Sequence, residues 1–209
     1  DLNGIAITSM YYDYLKEIWD DNNKSILLEL IEDKLEEDDR QRQFLEKYID
    51  DLPEKVETIE DYLYMANVNL ALQESLFFKL NQIGKEEYNW LPEEVLLKCR
   101  ERLRNVISGD SQNRKPIIEE DIMHISWEDE HCNIDELLKE DFSEVFRFTG
   151  RVDLITETTV WELKCTSEIT TDHMLQLIIY AWLYQMRPDY EEENDKKIYK
   201  LFNIKTGEL

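Results

Sequence analysis

From Ser9 to about Ile49 the apolar residues recur at intervals of three and four, as Tyr11, Tyr14, Leu15 and Ile18, then Leu27, Leu28, Leu30, Ile31 and Leu35. That spacing lines one side of a helix, so amphipathic helices are expected there. Pro53, in "DLPEK", interrupts the pattern. The run "TIEDYLYMANVNLALQESLFFKLNQI" then predicts one or two long helices, with Thr58 as N-cap and Asp61 supplying the acid of a capping box. "LPEEVLLKCRERLRNVI" predicts another helix with Pro92 in its first turn. "SGDSQNRKP" is a loop by composition.

The texture changes after "DIMHISWEDEHCNIDELLKED", a stretch with no decisive period. "EVFRFTGRVDLI", "TVWELKCT" and the later "KIYKLFNIK" are rich in β-branched and aromatic residues at strand length. Between the last two, "TTDHMLQLIIYAWLYQM" is too long for a strand and predicts a helix capped at Thr170 or Thr171. The second half therefore reads strand, strand, helix, strand, behind a large helical N-terminal region. The expected class is α+β (α/β). The expected divisions are an acidic helical region over 1–64 and a core over 65–209, the latter with a helical lead-in at 65–107 and its main strands and helix at 144–209.

Composition narrows the picture. At 209 residues the chain is long enough for one domain, or a core with a helical attachment. With 42% apolar residues a wholly disordered chain is excluded. No apolar run approaches the roughly 18 residues that span a bilayer, so no membrane partner is expected. The first residue is Asp and no leader precedes the helices, which suggests a piece excised from a longer polypeptide. Cys99, Cys132 and Cys165 are widely spaced and form no C-x-x-C pair, which argues against a disulfide framework and for a reducing, intracellular compartment, cytoplasm or nucleus, of cellular or viral origin.

A net charge of −24 opposes long-range attraction to nucleic acid. The acid is concentrated early, however, in runs such as "IEDKLEEDD". "KCRERLRNVISGDSQNRK" instead carries Lys98, Arg100, Arg102, Arg104, Arg114 and Lys115 against only Glu101 and Asp110. This locally basic strip offers Arg100 and Arg104 as nucleic-acid contacts, with Arg151 a third.

The chemistry concentrates in "GRVDLITETTVWELKCT", Gly150 to Thr166. Let Arg151 to Ile155 and Val160 to Lys164 form a hairpin with Ile155 opposite Val160. Asp153 then falls opposite Glu162, where cross-strand Cβ atoms stand about 4.5–5.5 Å apart. Two carboxylates so placed are able to share one divalent cation at metal–oxygen distances of about 2.1 Å. The period of two puts Lys164 on the face of Glu162, while Val152, Leu154, Trp161 and Leu163 point to a core. Phosphodiester hydrolysis requires this set: a hard cation, Mg²⁺ or Mn²⁺, with carboxylates to hold it and a lysine to position the attacking water. Asp153 and Glu162 are the expected metal ligands, with the backbone carbonyl of Leu163 a further one, and Lys164 the catalytic cation. Near a lysine, both carboxylates are expected to stay ionised at neutral pH.

Gly150-x-Val152-Asp153, Glu162-Leu163-Lys164 and Gln176-x-x-x-Tyr180 on the next helix together resemble the PD-(D/E)XK nuclease superfamily, in particular its RecB-like branch. The resemblance covers roughly Phe146 to Leu183, with Ile198 to Ile204 as the following strand. It implies a mixed central sheet of the restriction-endonuclease-like type. It also implies that Gln176 and Tyr180 order the active site and contact nucleic acid, and that one more metal ligand comes from upstream, for which Glu74 is preferred over His124. His131 and Cys132 beside His124 match no common zinc spacing, and three cysteines do not make the four-cysteine iron–sulfur cluster of some relatives. His173, three residues before Gln176, faces either the site or solvent.

The function implied is metal-dependent hydrolysis of DNA, with single strands or ends preferred, inside a larger replication, recombination or repair protein that includes a helicase region. A cap-snatching type of RNA endonuclease and an inactive nuclease fold serving as a protein-interaction domain are the alternatives.

Overall fold

The computed structural model describes residues 2–19, 24–37, 45, 47–53, 55–110, 115–126, 147–187, 190 and 196–209, and for 119–126 and 147–149 the description is of backbone alone. The chain is mixed α+β and divides into two units, Asp1–Val106 and Ile107–Leu209. Positions 64 and 65 both lie inside one helix of the first unit.

In that unit helices α1 (Leu2–Trp19) and α2 (Ile26–Glu37) pack against α3 (Ile59–Glu74). Tyr62 to Asn69 of α3 are buried in unbroken succession, as befits a helix enclosed on all sides. The expected capping box is present: the Thr58 hydroxyl accepts from the Asp61 amide, and the Asp61 carboxylate accepts from the Thr58 amide at 2.9 Å. The helix ends at Ser75, whose φ of 55° is left-handed and turns its amide back onto the Leu72 carbonyl. The rest of the apolar run therefore leaves the helix and forms one 3₁₀ turn, Phe77–Asn81. Helix α4 (Glu93–Ile107) buries Leu96, Cys99, Leu103 and Ile107 at spacings of three and four, as its pattern predicts.

The second unit is built on a four-stranded sheet in the order β1 (Ile117–Ser126), β2 (Arg147–Ile155), β3 (Thr159–Lys164), β4 (Ile198–Asn203). β1 with β2 and β2 with β3 pair antiparallel, and β4 lies parallel to β3. Helix α5 (Thr171–Gln185) makes the crossover that a parallel pair requires, and it packs against β1, β2 and β4. Its N-cap is Thr170; His173 completes the cap by accepting the Thr170 amide on Nδ1 at 3.1 Å. His173 is thus committed to the helix start. Val152, Ile155, Val160 and Tyr184 form a core cluster, joined by Tyr180, Tyr190 and Tyr199.

Two features depart from the sequence reading. Strand β1 occupies part of the stretch that showed no decisive period. And β3, rather than presenting one open chemical face, is buried on both: from Thr159 to Leu163 every residue is buried, Glu162 among them. It is a central strand, hydrogen-bonded to β2 along one edge and to β4 along the other, the place in a sheet where both faces are most often covered. Helix α5 leaves Met174, Leu175, Ile178 and Ile179 exposed. No helix among the described residues is long and apolar enough to cross a membrane.

Candidate metal and catalytic site on the central strands

The hairpin joins β2 to β3 in the expected register, with Ile155 opposite Val160 and Leu154 opposite Trp161. The turn is closed by the Thr156 amide donating to the Thr159 carbonyl at 2.8 Å. The next step of that register is Asp153 and Glu162, and there the side chain of Asp153 takes over from the backbone. Its Oδ2 accepts the Leu163 amide at 2.6 Å. The carboxylate is thereby fixed against β3 without needing any rotamer freedom of its own.

Glu162 is 2% exposed. Its Oε1 accepts from the Lys164 ammonium at 2.5 Å, and its Oε2 is buried with no partner among the described residues. An unpartnered buried carboxylate oxygen is costly, of the order of 1–3 kcal/mol or more for a charged group. Lys164 ends β3 with its ammonium on Glu162 and its carbonyl accepting the Ile204 amide at 2.7 Å.

Electrostatics follow from this enclosure. Burial pushes the Asp153 carboxyl up to about 6, against the opposing pull of the Leu163 amide and the Lys164 ammonium. Burial, and then the charge of Asp153, push Glu162 up to about 8, again against Lys164. The expectation that both acids are ionised at neutral pH is therefore corrected: one lysine does not balance two carboxylates taken out of water. The donor set is two hard oxygen ligands in a site short of positive charge, which fits Mg²⁺ or Mn²⁺.

On α5, the Gln176 amide donates to the Tyr180 hydroxyl at 2.8 Å, the one-turn pairing expected of Q-x-x-x-Y. Gly150 explains why this helix lies where it does. A Cβ built there would stand 2.8 Å from Leu183 Cδ1 and 3.0 Å from Tyr180 Cε1, so any side chain at this position would push Leu183 or Tyr180 of α5 aside.

The remaining candidates are placed as follows. Glu74 is the last residue of α3, in the first unit, and its carboxylate already has a cation, Lys79 at 2.5 Å. His124 lies on β1 opposite Thr149, four residues along β2 from Asp153, which is roughly 13 Å of strand; its side chain lies outside the described residues, as do His131, Cys132 and Arg114 altogether. Arg151 is on β2 opposite Asp121. Arg100 and Arg104 are exposed on α4, with the Arg104 guanidinium 5.9 Å above the Tyr14 ring. Among the described residues no three His, Cys, Asp or Glu side chains gather into one group. Neither Cys99 nor Cys165 is in a disulfide among the described residues.

The sequence reading did not place acids on β1, where the backbone register pairs Glu120 with Val152 and Asp121 with Arg151. The signal available was "IIEEDIMHIS", β-branched at both ends but with three acids in its centre. Comparison with known proteins returns no match: no family model fits the chain, and neither curated proteins nor solved structures resemble it significantly.

Proposed function

We propose that the chain is a divalent-metal-dependent deoxyribonuclease of the PD-(D/E)XK, RecB-like type. The observation that carries the reading is the buried, unpartnered Oε2 of Glu162, one strand across from Asp153 and hydrogen-bonded through its other oxygen to Lys164. The order of elements supports it as well, with an antiparallel hairpin, a helix bearing Gln176 and Tyr180, then a parallel strand.

In this reading Asp153 and Glu162 hold Mg²⁺ or Mn²⁺. The Leu163 carbonyl is a further ligand, since in an extended strand it points to the same side as the amide that reaches Asp153. The cation supplies Lewis-acid polarisation of the phosphate and lowers the pKa of a water. Lys164, held beside Glu162, orients that water and offsets charge developing on the phosphate oxygens. Gln176 and Tyr180 brace one another above β2 and meet the nucleic acid. Single strands or DNA ends are the substrate, in an intracellular setting and beside a helicase region of a larger replication, recombination or repair protein. Arg151, Arg100 and Arg104 supply phosphate contacts.

The test is incubation with labelled single-stranded DNA, duplex DNA and RNA in Mg²⁺, Mn²⁺ or EDTA, beside Lys164→Ala. Cleavage of DNA that needs the metal and falls about 10²- to 10³-fold in the variant is expected. Cleavage of RNA alone would move the assignment to an RNA endonuclease. No metal-dependent cleavage of any substrate would leave a nuclease-like fold with an interaction role.

A further inference from the structure

Asn203 is 0% exposed, yet it carries a full amide into the interior next to the end of β3. Its Cα partner across the parallel ladder is Lys164. The backbone ladder continues one step further, with the Ile204 amide on the Lys164 carbonyl at 2.7 Å, and there it ends. The Asn203 side chain carries the pairing on: Nδ2 donates to the Thr166 carbonyl at 3.0 Å and lies 3.5 Å from Thr166 Oγ1. Its Oδ1 accepts the Lys205 amide at 3.1 Å, while its backbone bonds to Glu208 and Gly207 close the turn behind it. Every polar atom of this side chain is used, and the donors all go to the segment that leaves Lys164.

That segment, Cys165 to Thr170, connects Lys164 to the N-cap of α5. The Thr166 hydroxyl closes it locally by donating to the Glu168 carbonyl at 2.8 Å. The direction in which Lys164 leaves its strand and the point at which the Gln176 helix begins are thus set by one clamp.

The geometry points to Asn203 as a positioning residue for Lys164 and for the start of α5. This assignment rests on the nuclease reading of the same strands. It touches neither metal nor substrate and acts by holding the chain on which two site elements are mounted. Loss of the Nδ2 donor takes from the half-buried Thr166 carbonyl its bond to β4 and lets Cys165–Thr170 relax, and displacements of about 1 Å at a catalytic group cost on the order of 10²-fold in rate.

The experiment uses the whole chain with Asn203→Asp, which keeps the shape and the acceptor for Lys205 but loses the donor, and Asn203→Ser, which is too short to reach Thr166. Thermal unfolding, Mn²⁺ binding by calorimetry, kcat and KM on DNA, and peptide-resolved hydrogen exchange are read together. Expected are folded proteins with Mn²⁺ affinity within about threefold of wild type, KM within about twofold, kcat lower by about 10- to 100-fold, and faster exchange confined to 164–170. Unchanged kcat and unchanged exchange overturn the assignment. So does unfolding of both variants, or loss of metal binding in step with activity, because Asn203 then serves the fold as a whole. Should wild-type protein itself not cleave DNA, the nuclease reading fails, and the exchange measurement still decides whether Asn203 orders Cys165–Thr170.

Discussion

Helix α3 and strand β3 are the most enclosed elements of their respective units, and both carry polar side chains into the interior. They treat those side chains differently. In α3, Asn67 donates to the Tyr88 hydroxyl at 2.7 Å and the Tyr62 hydroxyl donates to Asp13 at 2.8 Å. Nearby Lys16, 8% exposed, donates to Glu29 at 2.6 Å and to the Lys24 carbonyl at 2.8 Å. Each of these groups finds its partner inside the protein. In β3, Glu162 is equally buried but one of its carboxylate oxygens has no partner among the described residues. The Ser25 hydroxyl of the first unit is also buried and unpartnered, but a neutral hydroxyl costs far less to strand than a carboxylate. The first unit pairs the buried charge of Lys16 internally, while the second leaves a buried acid half satisfied among the described residues, which is the feature the metal proposal addresses.

The sharpest way to break that contrast is Glu162→Gln. It keeps the shape and removes the ionisable oxygen. Expected are loss of Mn²⁺ binding by calorimetry and at least about 10³-fold lower cleavage, an effect of about 4 kcal/mol on the transition state. The same variant tests the charge argument. Unfolded, Asp153 and Glu162 titrate near 3.8 and 4.5; folded, they are raised to about 6 and about 8. The folded state therefore holds protons that the unfolded state has lost, and the stabilisation this gives is complete below about pH 4 and disappears as pH rises through 6 to 8. The metal-free protein should melt progressively lower across that window, and Glu162→Gln should flatten most of the slope. Mn²⁺ replaces the protons, so its stabilisation, about 2.7 kcal/mol at a hundredfold excess over Kd, should grow from pH 6 to pH 8.5. A metal shift in melting temperature that is independent of pH would separate the cation from these two carboxylates.

Lys16→Met is the matched change in the first unit. It takes the Lys16 ammonium away from Glu29, which is 29% exposed, and from the Lys24 carbonyl. Breaking a buried pair costs about 3–5 kcal/mol, and the access of Glu29 to water brings the expectation down to about 2–3 kcal/mol of stability by denaturant titration. Mn²⁺ affinity should not move. If it did, the two regions would not differ in the way their hydrogen bonding indicates.

Much of this contrast was legible before any coordinates. Period and caps marked α3, α4 and α5, because the Thr58 and Thr170 caps, the break at Pro53 and the helix start signalled by Pro92 are local chemistry. The hairpin register placed Asp153 beside Glu162 from one turn length. Three things were not legible. That β3 is a central strand, buried on both faces, was hidden because its second neighbour, β4, lies thirty-four residues further along, from Lys164 to Ile198, and no window on the strand itself reports a neighbour so distant. The upward shift of both acids follows from that burial, so it was misjudged for the same reason. Strand β1 was hidden because three consecutive acids, Glu119 to Asp121, break the alternation that a strand usually advertises.

Gly150→Ala makes the smallest of these changes, one methyl group, at the point where α5 rests on β2. The new Cβ would meet Leu183 Cδ1 at 2.8 Å and the Tyr180 ring at 3.0 and 3.1 Å. The leucine methyl is the end of a flexible side chain and is able to turn away. Tyr180 has less freedom, since its hydroxyl accepts from Gln176 and its ring packs on the cluster of Val152, Ile155, Val160 and Tyr184. Overpacking of this kind costs about 1–3 kcal/mol, and with one of the two obstructions able to yield, about 1–2 kcal/mol is expected in denaturant titration. The distinguishing readout is coupling. If Tyr180 is the side that resists, combining Gly150→Ala with Tyr180→Ala should recover most of the loss attributable to the methyl group. Additive losses in the double variant would instead place the strain in the backbone of α5, and the glycine would then be explained by helix approach alone.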